Sequence, residues 1–161
     1  MRCKKTNRVA LLVTITLPGE YHATRCQGGV VTRNPMYDPW RTPRYAAWRL
    51  RMTWLYIQAR LARWGVEVWG MYLVQPHHDG TPHMHVLVYC DAEHEPMARS
   101  VIRDFICPIR ESLGVHILSI EHPHTYFKKY FKRRSALVSL WAWGLGVSTS
   151  PVKFGDWSKA A

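Results

Sequence analysis

The hydrophobic pattern along the chain switches between two periods. Residues 8–16, RVALLVTIT, form a run rich in β-branched side chains that ends at Pro18-Gly19, which predicts a buried central strand closed by a turn. Residues 27–43 carry Gly28-Gly29, Asn34-Pro35, Asp38-Pro39 and Thr42-Pro43, a density of breakers that reads as one long loop. From Thr42, a good N-cap with Pro43 at the first helical position, Trp48, Met52, Leu55, Ala59 and Ala62 recur at helical spacing until Gly65 stops the run, and this predicts the first helix. Residues 66–75 and 83–90 are β-rich runs joined by Pro76-His-His-Asp-Gly-Thr-Pro82. They predict an antiparallel hairpin turning at Asp79-Gly80. A helical stretch interrupted by Pro108 is expected over 96–113, a strand over 115–120, and a third helix over 125–140, where helix formers and paired aromatics recur at i, i+4. Gly144, Gly146 and Pro151 then predict an irregular tail, residues 146–161. This order is that of an α+β fold, with helices packed on a central, mainly antiparallel sheet of about five strands. One face of that sheet is left for function.

Composition narrows the class. A chain of 161 residues supports one sizeable core, so a single domain over 1–161 is expected. Apolar residues make up 47% and charged residues 20%, which argues against general disorder. Lys and Arg outnumber Asp and Glu by 22 to 11, and before Arg60 the only acids are Glu20 and Asp38. Such a broad basic excess fits a polyanion partner, though charge alone suits a merely soluble basic protein as well. Cys3, Cys26, Cys90 and Cys107 lie far apart with no C-x-x-C pair, which argues against a zinc ribbon or a compact disulfide framework and fits reduced thiols in a cytoplasm. The apolar runs at 9–13 and 137–147 fall short of a secretory h-region and of the roughly 20 residues that span a bilayer, so no membrane partner is expected.

Two constellations carry chemistry. Side chains at i and i+2 of a strand share a face, so His83 and His85 converge while Met84, Val86 and Val88 point the other way. Gln75, at the end of the partner strand, can set an amide oxygen beside them, giving an open three-ligand site of the catalytic type. Two nitrogens and a neutral oxygen suit Mg²⁺ or Mn²⁺, whereas His77 or His78 as further ligands would favour Zn²⁺ or Ni²⁺. Alone, a His-apolar-His triplet is more often a pair of satisfied histidines. The second constellation is Tyr126-Phe-Lys-Lys-Tyr130, with the tyrosines one helical turn apart and Phe127 and Phe131 on the neighbouring stripe. Lys128, Lys129, Lys132, Arg133 and Arg134 surround the phenols with cations, which lower a phenol pKa and bind phosphate. Alone, this segment is more often a basic amphipathic helix with interfacial tyrosines.

The string from Gln75 to Val88, with Thr14-Ile-Thr16 upstream, Tyr21-His-Ala23 and Asn34-Pro-Met-Tyr37 in the following loop, residues 54–70, the Tyr126-x-x-x-Tyr130 pair and Trp141-Ala-Trp-Gly144, closely resembles the HUH endonucleases of the bacteriophage replication gene A type, the rolling-circle initiators. The resemblance covers nearly the whole chain and implies an HUH/RRM-like fold. It implies His83, His85 and Gln75 as metal ligands and Tyr126 and Tyr130 as nucleophiles with Lys129 between them. The surrounding cations Lys128, Lys132, Arg133 and Arg134, with Thr14 and Thr16 of the first strand, are the expected contacts to an origin or hairpin-like single-stranded DNA. The implied activity is a site-specific nick that leaves a 5′-phosphotyrosine link and a free 3′-OH. Gln75 stands where that family usually has Glu, which removes a charge from the site and should loosen the metal. The length is that of an isolated catalytic domain without a P-loop, so a host helicase and polymerase are the expected partners. The rivals are a single-tyrosine transposase of the same superfamily, disfavoured by the second tyrosine, and a non-catalytic DNA-binding module, favoured by Gln75.

Overall fold

The computed structural model describes residues 7–106, 113–123, 125, 139–143 and 152–153. The element order is β1 (Arg8–Thr16), β2 (Thr24–Gln27), β3 (Val30–Arg33), α1 (Pro43–Arg63), β4 (Trp69–Pro76), β5 (Pro82–Asp91), α2 (Glu95–Ile106), β6 (Gly114–Ser119), β7 (Ser139–Trp143) and β8 (Val152–Lys153). Six strands form one sheet in the order β6-β1-β5-β4-β7-β8, antiparallel at every pairing. The class is α+β, as the pattern predicts. No helix among the described residues is long and apolar enough to cross a membrane.

Strand alternation divides the sheet into two faces. Leu11, Val13 and Ile15 of β1, Tyr72 and Val74 of β4, and Met84, Val86 and Val88 of β5 join Leu50, Trp54, Ile57 and Leu61 of α1 and Ala98, Val101, Ile102 and Ile106 of α2 in one buried cluster. Both helices therefore cover the same face. On the opposite face Ala10, Leu12, Leu73 and Leu87 form a smaller buried cluster. Thr14, Gln75, His83 and His85 continue that second face toward one end of the sheet, because Thr14 pairs with His85 and Gln75 with His83.

Four expectations need correction. Residues 27–43 are not all loop: Val30–Arg33 pairs with Thr24–Gln27 in a separate two-stranded sheet. Gly28 (φ 57°) and Gly29 (φ 81°) make its two-residue turn, and this left-handed pair, as in a type I′ turn, matches the twist of the flanking strands. The helical stripe Trp48, Met52, Leu55, Ala59 and Ala62 is not the buried face of α1. The core takes Ala46, Ala47, Leu50, Thr53, Trp54, Ile57 and Leu61 instead, while Trp48 and Leu55 remain 54% and 52% exposed. β4 starts at Trp69 rather than residue 66 because Val66 completes the end of α1. Its N–H bonds Leu61 O at 3.0 Å and that of Gly65 bonds Ala62 O at 3.0 Å, with Gly65 at φ 69°, a Schellman motif. Finally, Ser139 and Leu140 are strand, not the end of a helix, and the expected tail contains β8. The apolar run around Trp141 pairs with Gly70–Val74, covering an edge of β4 that would otherwise present unpaired backbone groups.

Candidate active site

The site is assembled at the turn end of the β4–β5 hairpin. Asp79-Gly80 forms the turn as expected: Gly80 (φ 83°) donates to His77 O at 3.0 Å, and His77 N donates to Thr81 O at 2.8 Å. His83 and His85 lie on one face with ring centroids 4.7 Å apart and planes near perpendicular. Thr14 Oγ1 lies 3.1 Å from His85 Nδ1. If that nitrogen carries the proton, Nε2 keeps its lone pair for a metal, which is how second partners orient ligating histidines. His83 Nδ1 is buried with no hydrogen-bond partner among the described residues, which leaves it open to a water or an ion. Gln75 is buried directly across the ladder from His83. Thr16 shares the face of Thr14, and a side chain at Gly114, its pair on β6, would collide with its hydroxyl.

Burial dominates the electrostatics. It pulls the His83 ring down to about 3, helped by His77, His85 and His22, and the His85 ring down to about 4, helped by His77. Both imidazoles are therefore neutral near pH 7, the form in which they ligate metals. His77 lies against His83 with centroids 4.2 Å apart and planes tilted by 36°, a ring-on-ring packing. No three His, Cys, Asp or Glu side chains among the described residues converge as a metal-holding group, so the third donor offered by the register is the amide of Gln75. This donor set suits a hard divalent cation with open positions.

Three residues that shape the site, Asp79, His22 and Asn34, had no role assigned by the sequence. The Asp79 side chain is 1% exposed and accepts from His22 Nδ1 at 3.0 Å. Burial alone would raise its carboxyl, but the Thr81 N–H and the His22 ring outweigh that and hold it below the usual carboxylate range. His22 in turn lies 5.4 Å, centroid to centroid, from His77, so a carboxylate-anchored imidazole stands at the end of the histidine group. Asn34 fixes the same loop, donating to Gly19 O and His22 O at 2.7 and 2.9 Å and accepting from Met36 N at 3.1 Å. The only trace of His22 and Asn34 in the sequence was the resemblance of Tyr21-His-Ala23 and Asn34-Pro-Met-Tyr37 to a family loop, and Asp79 showed only as a turn residue. Tyr126, Tyr130, Lys128, Lys129, Lys132, Arg133 and Arg134 lie outside the described residues.

Comparison with known proteins adds to this geometry. The sequence pattern of the family described as bacteriophage replication gene A protein (GPA) matches residues 1–134. The chain is 34% identical over 103 residues to the replication gene A protein of Escherichia phage 186, covering 64% of this chain and 14% of that protein. It is 34% identical over 102 residues to the replication protein of Haemophilus phage HP1, covering 63% and 12%. A probable replication endonuclease from a prophage-like region of Salmonella typhimurium is 31% identical over 108 residues, covering 66% and 13%. The chain thus spans about one-seventh of the length of the relatives it matches. No solved structure matches.

Proposed function

The chain belongs to the bacteriophage replication gene A protein family, and on that premise we propose that it is a metal-dependent HUH endonuclease that nicks single-stranded DNA to initiate rolling-circle replication. The observation that carries this reading is the pair of neutral imidazoles, His83 and His85, on one sheet face at 4.7 Å, with Gln75 in register across the hairpin. The name of the Salmonella relative supports nuclease chemistry.

His83, His85 and Gln75 would hold Mg²⁺ or Mn²⁺, which when bound would supply positive charge to the scissile phosphate. Thr14 keeps the His85 ring turned for that role. Tyr126 or Tyr130 is the nucleophile: its phenol loses a proton to solvent, helped by the cations of Lys128, Lys129, Lys132 and Arg133, and the phenolate oxygen attacks phosphorus. The P–O3′ bond breaks, O3′ takes a proton from solvent, and the 5′ phosphate stays on the tyrosine as an ester. Because that ester conserves the bond energy, a later 3′-OH can displace the tyrosine and rejoin strands without ATP.

The test is mass spectrometry for a protein–DNA adduct after incubation with single-stranded DNA and Mn²⁺. Tyr126→Phe and Tyr130→Phe should each reduce the adduct, and the double variant should abolish it with DNA binding intact. Loss of all adduct in one single variant points to a one-tyrosine enzyme of the transposase kind. A persistent adduct in the double variant overturns the nucleophile assignment.

A further inference from the structure

The outward side of α1 carries large rings that the core does not use. Tyr45 is 41% exposed and Trp48 54% exposed, and they stack with centroids 5.7 Å apart. The stack continues inward: Tyr45 lies 6.4 Å from the buried Tyr21 ring with planes 2° apart, and the Arg41 guanidinium sits 4.7 Å over Tyr21. Trp40, just before the helix, is 88% exposed. α1 itself contains Arg44, Arg49, Arg51, Arg60 and Arg63 and no acidic residue, on a chain of net charge +11.

We propose that this stripe of α1, built on Tyr45 and Trp48 and edged by Arg44, is a stacking track for the single-stranded DNA that runs away from the histidine pair. The proposal rests on the endonuclease reading for its choice of polyanion. The buried Tyr21 ties the stripe to the hairpin turn beside the histidine group. Ring contacts join His85, His83, His77 and His22, while the carbonyl of the neighbouring Tyr21, a core ring, accepts from Thr81 Oγ1 at 2.9 Å and its ring packs against Tyr45. Trp48 presents an open ring on which a base can stack, and base–aromatic stacking tolerates any sequence because every base has a π-face. Exposed Trp, Tyr and Arg also suit a protein partner. The absence of any acid on the helix favours phosphate instead, since a protein surface rarely demands a uniformly cationic counterpart.

The test is fluorescence anisotropy of a labelled oligothymidylate, without divalent metal, on the full chain and on a His83→Ala/His85→Ala background. Trp48→Ala should weaken binding about tenfold, within the range of one lost base stack. Trp48→Phe should retain wild-type affinity, while Trp48→Leu, which keeps apolar area but no π-face, should bind as poorly as the alanine variant. Arg44→Ala should reduce the salt slope by about one phosphate contact. Wild-type affinity in both the Ala and Leu variants overturns the proposal and leaves the face to a protein partner. Loss in Ala but not in Leu overturns it too, because plain apolar contact would then suffice. Failure of the nickase reading looks different: no adduct forms, yet the dependence on Trp48 persists in the histidine-free background.

Discussion

Thr14 and His85 meet across two neighbouring strands, and their 3.1 Å contact makes a testable difference between a ligand and its support. Thr14→Val keeps the shape and removes the hydroxyl, so the His85 ring loses the partner that fixes its tautomer. Metal affinity should fall about 10- to 100-fold, read by titration calorimetry with Mn²⁺, and an unchanged affinity would show that Thr14 supports nothing. Gln75→Glu should act oppositely and lower the metal concentration needed for nicking, since a carboxylate adds charge. The histidines also set a pH dependence. Their native values, about 3 and about 4, lie below the ordinary value near 6.5, so below that pH the unfolded chain binds protons that the native state refuses. Their contribution to stability is complete above about pH 6.5 and declines as pH falls toward 4 and 3. Thermal unfolding of the metal-free protein should show this decline, and a His83→Gln/His85→Gln variant should show a shallower one. The pair was legible in the sequence because a strand's period of two fixes which side chains share a face. Asp79 and His22 were not, because 57 residues separate them and only tertiary folding makes a turn aspartate into a buried anchor.

At the scale of elements, α1 shows how far periodicity reaches. Thr42 and Pro43 marked its start, and Thr42 Oγ1 does accept from Tyr45 N at 3.3 Å. The spacing of apolar residues also gave the helix correctly but not its orientation, because α1 has two apolar stripes and local pattern has no term for which one meets the sheet. The leucines separate them. Leu50 is fully buried in the main core whereas Leu55 is half exposed. Leu50→Ala should therefore cost about 2–5 kcal/mol, as buried leucine truncations do, while Leu55→Ala should stay within about 0.5 kcal/mol. Urea unfolding followed by circular dichroism measures both, and a reversed order would mean that the helix packs by the other stripe. The β2–β3 ribbon was hidden for a related reason. Its Gly-Gly turn was read as a breaker, and strands exposed on both faces, as Val30–Arg33 is, lack the alternation that announces a half-buried strand. β7 escaped because its apolar run is equally compatible with a helix until it is seen paired to β4, and β8 because it follows Gly144, Gly146 and Pro151, which read as an irregular tail, and shows as strand only when paired to β7.

For the whole molecule, the proposed function makes binding and cutting separable. A surplus of cations spread over α1 and the β2–β3 ribbon, with a net charge of +11, would act on DNA through phosphates, whereas the histidine pair would act on one bond. Phosphate contacts release counterions, so the logarithm of the binding constant should fall linearly with the logarithm of salt concentration, by about 0.7 per contacted phosphate for a single strand. If about six phosphates are engaged, the slope is about −4, and affinity should drop about 250-fold between 50 and 200 mM salt. His83→Ala and His85→Ala change groups that are neutral near pH 7, so they should leave that slope untouched while removing nicking. The measurement is a salt titration of oligonucleotide binding run in parallel with a cleavage assay on the same variants. A nearly flat salt dependence would mean that the basic surface is only a solubilising one and that the strand is held by other contacts. Retained nicking in both histidine variants, with the steep slope preserved, would leave a DNA-binding protein whose cutting chemistry lies elsewhere than in the hairpin.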